Sequence, residues 1–161
     1  MQAPAQRIIA VTRRLPQAVL SLLSSHPNTQ LRLHDSEEPV PHAELAAFCQ
    51  GASAIICLLS DRMDAAVLSS AGPSLRCLAN MAVGYSNIDL QYALQKRVRI
   101  GNTPGVLTDA TADLVLALTL ATCRLIPQAA AAVKSGEWSS WKPFWSEFPR
   151  PCLLTAQPAS L

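Results

Sequence analysis

The sequence predicts an α/β domain built on an open, parallel, doubly wound five-stranded sheet. Three observations predict it. Short apolar, β-rich runs alternate with helical patterns at a regular beat. The run 53-SAIICLL-59 is continuously apolar, which suits a strand covered on both faces. After Thr103 the beat stops, and the chain becomes helical and then irregular.

Each element has a local reason. The first strand is RIIAVT (Arg7–Thr12), and Pro16 opens a helix running through Leu23. QLRLH (Gln30–His34) alternates polar and apolar residues, as a half-exposed strand does. Pro41 begins a helix through Cys49, at a position where its missing N–H costs nothing. The apolar third strand is bounded by Gly51 and by Ser60-Asp61, and a helix over Asp64–Ala71 stops at Gly72-Pro73. LRCLANMA (Leu75–Ala82) and RVRIGNT (Arg97–Thr103) supply strands four and five, with a helix from Asp89 to Lys96 between them.

Five strands alternating with four helices imply right-handed crossovers. These gather the loops after the strands along one edge of the sheet, where α/β proteins bind ligands. Those loops are 12–15, 34–41, 59–63, 81–87 and 102–108.

Pro104-Gly105 turns the chain into a long helix, with Thr108 or Asp109 as its cap, ending near Cys123. Its residues from Leu114 onward are apolar on nearly every side, so it is expected to be buried. The apolar stretch Ala112–Ala121 is about half the length that crosses a bilayer. A second helix covers Leu125–Lys134, and Trp138, Trp141 and Trp145 follow as a cluster. From Ser146 the chain is proline-rich and aperiodic, and is expected to be disordered.

Composition bounds the function. The chain has 161 residues, enough for one domain with a core, and is 50% hydrophobic and 15% charged. That apolar balance suggests surface meant for a partner. The net charge is +2 with no basic run longer than Arg13-Arg14, which argues against nucleic acid and membrane as partners. Five cysteines without CxxC or Cys/His spacing read as reduced core thiols, with no metal site, in a cytoplasmic protein. No secretory leader is evident at the first residues.

The candidate site is Ala82-Val83-Gly84, at the end of strand four. The free N–H groups of Val83 and Gly84 could grip a small carboxylate, with Gly84 allowing close approach. Alternatively, Gly84 simply turns the chain out of the sheet. Asn102-Thr103-Pro104-Gly105 reads as an ordinary turn before a helix. The tryptophans are a packing cluster or, on a protruding segment, interface anchors.

Other doubly wound classes fail on specific residues. VTRRLPQ lacks the Ser/Thr/Gly-rich phosphate loop of a flavodoxin. Asp61 follows strand three as in a response-regulator receiver. The acidic pair after strand one and the lysine after strand five are missing, so Asp61 reads as a turn residue. No two of the six glycines are separated by a single residue, so GxGxxG, the dinucleotide-binding loop, is absent.

Six motifs, in order, carry a resemblance: VTRRLP (Val11–Pro16), DSEEPVPHAEL (Asp35–Leu45), CLLSDRMD (Cys57–Asp64), AVGYSNIDL (Ala82–Leu90), TPGVLTDATADL (Thr103–Leu114) and GEWSSWKPFW (Gly136–Trp145). From about Ile8 to Trp145 the chain resembles the N-terminal part of the D-isomer-specific 2-hydroxyacid dehydrogenases, of the glyoxylate/hydroxypyruvate reductase type. The resemblance implies a flavodoxin-like substrate domain over 1–106, a hinge helix and dimerisation arm over 107–145, and a non-family tail over 146–161. It implies that the amides of Val83 and Gly84 bind the substrate carboxylate, that Leu59 and Ser60 line the pocket, and that Trp141 caps a neighbouring subunit's site. It places Val106, Thr108 and Asp109 at the rim near the nicotinamide of NADP or NAD.

In the family a coenzyme domain carrying the catalytic Arg, Glu and His follows the tryptophan segment. Here SEFPRPCLLTAQPASL stands in its place. None of His26, His34 or His42 matches the catalytic histidine. Tyr85-Ser86-Asn87 and Asp113 are small departures from the family pattern. The expectation is a truncated NAD(P)H-dependent reductase that binds no cofactor by itself, contains no catalytic residue and is inactive in isolation. The alternatives are a binding or regulatory module that heterodimerises with a full-length subunit through Trp138, Trp141 and Trp145, or a non-functional product. A 2-oxo or 2-hydroxy acid would then bind weakly if at all.

Overall fold

The computed structural model describes residues 6–141. The chain divides into two compact units at Gly105/Val106. The first unit contains β1 (Arg7–Val11), α1 (Gln17–Ser24), β2 (Thr29–Leu33), α2 (His42–Cys49), β3 (Ala54–Cys57), α3 (Ala65–Ser70), a 3₁₀ turn (Gly72–Ser74), β4 (Cys77–Asn80), α4 (Leu90–Gln95) and β5 (Arg99–Gly101).

The five strands are all parallel, in the order β2-β1-β3-β4-β5. This is the flavodoxin-like winding, whose order reverses between β1 and β3. The core lies on one face. Ala10, Ile55, Cys57 and Leu78 from the strands pack with Leu45 and Cys49 of α2, Val67 and Leu68 of α3, and Ala93 of α4. Right-handed crossovers in opposite directions put α1 on the other face, and no residue of α1 is buried.

β3 is therefore less enclosed than its sequence suggests. Ile55 and Cys57 are buried, while Ala54 and Ile56, on the alternate face, are only half-buried. The same alternation leaves Cys77 exposed on β4, although its apolar neighbours made it look like a core thiol. Cys49 and Cys57 are core thiols as expected. Cys152 and the tail 146–161 lie outside the described residues.

Capping follows sequence at two helices. Asp64 accepts a hydrogen bond from Val67 N (3.1 Å) and Asp89 from Tyr92 N (2.9 Å), each satisfying an N–H that the first turn leaves open.

The second unit holds α5 (Thr108–Cys123) and α6 (Ile126–Lys134). Two expectations fail here. Leu107, not Thr108 or Asp109, occupies the cap position, and it makes no side-chain cap. Thr108 is the first helical residue, and Asp109 sits in the first turn, where a carboxylate complements the helix dipole. No residue of α5 is buried, and Leu114, Val115, Leu116, Leu118 and Leu120 are all exposed. Two helices offer each other one contact stripe, which cannot cover an all-round apolar helix. The helices meet at Leu125, which takes a left-handed conformation at φ 52°. No single helix among the described residues is long and apolar enough to cross a membrane. α5 and α6 reach that length only together, bent by 61°.

Candidate active site

The site lies where β3, β4 and β5 deliver their loops. Backbone bonds tie these loops together. Met63 N donates to Asn87 O (2.8 Å), Asp89 N to Met63 O (2.9 Å), and Thr103 N to Ala82 O (2.9 Å). The pieces that sequence assigned to one pocket, Leu59-Ser60 and Val83-Gly84, thus share one edge of the first unit.

Side-chain amides then fix the 82–87 segment from beneath. Asn80, buried at the end of β4, donates Nδ2 to Gly84 O (2.8 Å). Asn102 donates Nδ2 to Val83 O (2.9 Å). Asn87 donates Nδ2 to Leu58 O (3.1 Å) and Asp61 O (3.0 Å), bridging the β4 loop to the β3 loop. The carbonyls of Val83 and Gly84 are therefore held, while their N–H groups make no hydrogen bond among the described residues. Two adjacent backbone donors are thus left without a partner among the described residues, on a segment whose carbonyls are held.

Gly84 does not owe its identity to the turn. Its φ is outside the left-handed region, and a Cβ there would meet nothing closer than Leu59 Cδ1 at 4.0 Å. The backbone and its surroundings could carry alanine.

The Leu59-Ser60 loop rests on a buried charge cluster. Asp61 sits in a turn, with its N–H donating to Leu58 O (3.0 Å), but it is also 2% exposed. Its Oδ2 accepts from Thr12 Oγ1 (2.5 Å) and from Leu58 N (2.9 Å). Arg13 lies 3.5 Å from Asp61 Oδ1, and donates to Ser60 Oγ (2.9 Å) and Glu37 O (2.8 Å). Ser60 is thus oriented by an arginine from the β1 loop. Below this cluster, desolvation raises the Cys57 thiol to about 12, with Asp61 adding to the effect. The Cys49 thiol is raised to about 12 for the same first reason. Both thiols stay protonated and unreactive at neutral pH.

Sequence reasoning missed Arg13, Asn80, Asn87 and Asn102, and took Asp61 for a plain turn residue. The available signal was that Arg13 and Asp61 each stand inside a motif carrying the resemblance. Val106, Thr108 and Asp109 belong to the second unit, all exposed. Trp141 and Trp138 are exposed there too, and Trp145 lies outside the described residues. Among the described residues no cluster of three or more His, Cys, Asp or Glu side chains could hold a metal ion.

A five-stranded parallel sheet in this order, with the loops after its strands gathered at one edge, defines an α/β domain of the flavodoxin-like class. The sequence profile of the D-isomer specific 2-hydroxyacid dehydrogenase catalytic domain matches residues 9–141, and the chain belongs to that family. It is 41% identical over 137 residues to the human glyoxylate reductase/hydroxypyruvate reductase, a match covering 85% of this chain and 42% of the relative. It is 38% identical over 141 residues to the glyoxylate reductase of Pyrococcus horikoshii, covering 85% and 41%. Among solved structures, a Thermus thermophilus protein superposes with a TM-score of 0.76 at 38% identity, covering 86% of this chain and 43% of that one. The NADPH-dependent glyoxylate/hydroxypyruvate reductase of Sinorhizobium meliloti, solved with NADP and malonate, gives 0.64 at 28% identity, covering 84% and 40%. The chain therefore spans about two fifths of the length of the curated relatives it matches.

Proposed function

We propose that this chain supplies the carboxylate-binding half of a reductase acting on glyoxylate or hydroxypyruvate. The observation that carries the reading is the pair of unpartnered amides at Val83 and Gly84, above carbonyls pinned by Asn102 and Asn80. They would bind the substrate carboxylate, with Leu59 and Ser60 as the facing wall and Arg13 orienting Ser60. The Sinorhizobium meliloti relative, solved in complex with malonate, a dicarboxylate, is consistent with this reading.

The residues present do not fit a dinucleotide, because no glycine pair is spaced for a phosphate loop. No hydride step is therefore assigned to these residues. NADPH or NADH, together with the acid and the cation that carbonyl reduction requires, would come from a coenzyme domain outside them. In this reading α5 is the hinge toward that domain, with Val106, Thr108 and Asp109 at the cofactor rim. The 161 residues alone are inactive in this reading, and the setting is cytoplasmic.

A second reading, a module pairing with a full-length subunit, is favoured by one observation. Trp138 and Trp141 are 52% and 78% exposed, as are the leucines of α5 in the same unit. The same surface would serve a homodimer.

The test is an NADPH-oxidation assay with glyoxylate and hydroxypyruvate. The chain alone is expected to give no turnover. A chimera carrying residues 6–141 in place of the matching part of the human reductase is expected to turn over both substrates. A chimera that binds NADPH but reduces neither would overturn the proposal.

A further inference from the structure

The charges of the first unit are sorted between the two edges of its sheet. Every carboxylate of residues 6–105 stands at the carboxyl edge. Asp35, Glu37 and Glu38 follow β2, and Glu44 is in the first turn of α2. Asp61 and Asp64 follow β3, and Asp89 caps the start of α4.

The amino edge holds the opposite sign. A groove there is lined by Arg7, Arg76, Arg97 and Arg99 together with His26, and no acidic residue lines it. Strands of three to five residues separate the edges by roughly 10–17 Å. That exceeds the screening length of about 8 Å at physiological salt, so the acids do not neutralise the groove.

The arginines themselves divide the same way. Arg13, Arg14 and Arg62 pair with carboxylates, and Arg32 donates to the carbonyls of Phe48 and Gln50. The four in the groove are exposed and make no side-chain hydrogen bond or ion pair among the described residues. Arg97 also holds a positive φ of 56° at the end of α4, a position where glycine is the usual choice. Four unpaired guanidinium groups around one concavity repel one another until an anion enters.

We infer that this amino-edge groove binds a small molecule bearing two or more phosphate groups, at a site separate from the Val83 and Gly84 amides. The lining selects this class. The strand-start amides are already used: Arg7 N bonds Asn28 O, Ser53 N bonds Ile8 O, Arg76 N bonds Ser53 O and Arg99 N bonds Arg76 O. No backbone N–H of those four remains to read a peptide strand. No Phe, Tyr or Trp lines the groove, and its one aromatic ring, the imidazole of His26, offers no pair of faces to sandwich a base. What remains are guanidinium forks, whose planar donors match phosphate oxygens two at a time.

The test is calorimetric titration of the 161-residue chain with tripolyphosphate at 0.15 M salt. One saturable site is expected. Each arginine removed should weaken it about tenfold, the loss of one charge-assisted contact. Arg97→Ala with Arg99→Ala should therefore cost about a hundredfold, and Arg76→Ala alone about tenfold. Arg14→Ala with Arg62→Ala, at the opposite edge, should leave affinity unchanged. All five residues are exposed, and unchanged thermal melting confirms that each variant is folded. Non-saturating binding would overturn the assignment, as would equal losses in the Arg14/Arg62 variant. Tighter binding of a polyglutamate peptide or an oligonucleotide than of tripolyphosphate would also overturn it.

Discussion

Replacing Asp61 with alanine should unfold much of what positions the pocket wall. The carboxylate accepts from Thr12 Oγ1 and Leu58 N, and pairs with Arg13, whose side chain is only 14% exposed. Without it, a half-buried N–H loses its acceptor, a buried hydroxyl loses its shortest one, and a mostly buried guanidinium loses its counter-charge. An orphaned buried polar group costs about 1–3 kcal/mol, and breaking a buried pair from one side costs about 3–5 kcal/mol. These overlap rather than add, so Asp61→Ala should lose about 3–5 kcal/mol. For a domain whose whole stability is of order 5–15 kcal/mol, that is a large part. Asp61→Asn keeps one acceptor oxygen and should lose about half as much. Urea denaturation followed by circular dichroism measures both variants. A loss below about 1 kcal/mol for Asp61→Ala would refute the reasoning, because it would mean that water replaces the carboxylate freely.

Asn87→Ala removes the donor that joins the β4 loop to Leu58 O and Asp61 O; Leu58 O keeps the Asp61 N–H, so the cost should be about 1–2 kcal/mol, mainly from the one carbonyl left without its donor, read by the same denaturation. The buried thiols give a pH prediction. Their folded pKa values lie above the unfolded ones, so the stability they contribute is complete below about pH 9 and is lost as pH rises toward 12. Each contributes a slope of about 1.4 kcal/mol per pH unit in that window, and a flat stability curve from pH 9 to 11 would contradict it. At neutral pH a thiol reagent should label exposed Cys77 well before Cys49 and Cys57, as peptide mapping would reveal.

The layout of the first unit is readable because each strand and helix announces itself within a few residues. Pro16 and Pro41 open helices, Asp64 and Asp89 cap them, and apolar runs mark the strands. What was unreadable depends on residues far apart in sequence. Thr12 meets Asp61 across 49 positions, and Asn87 reaches Leu58 across 29, and no local pattern encodes either meeting. Ile56 and Cys77 misled for a related reason, since an apolar residue does not say whether a helix covers its face. α5 misled most, because its all-round apolar surface specifies burial but not the partner that supplies it.

The central claim is that the Val83 and Gly84 amides receive a carboxylate. It is tested most directly by titrating malonate into the ¹⁵N-labelled chain while following amide resonances, beside the Gly84→Ala variant. A compatible φ and a nearest contact of 4.0 Å mean that this variant should fold with unchanged or slightly raised stability. Saturable shifts centred on Val83 and Gly84 are expected, with at least tenfold weaker binding in the folded variant. Shifts centred elsewhere, or full affinity in Gly84→Ala, would contradict it.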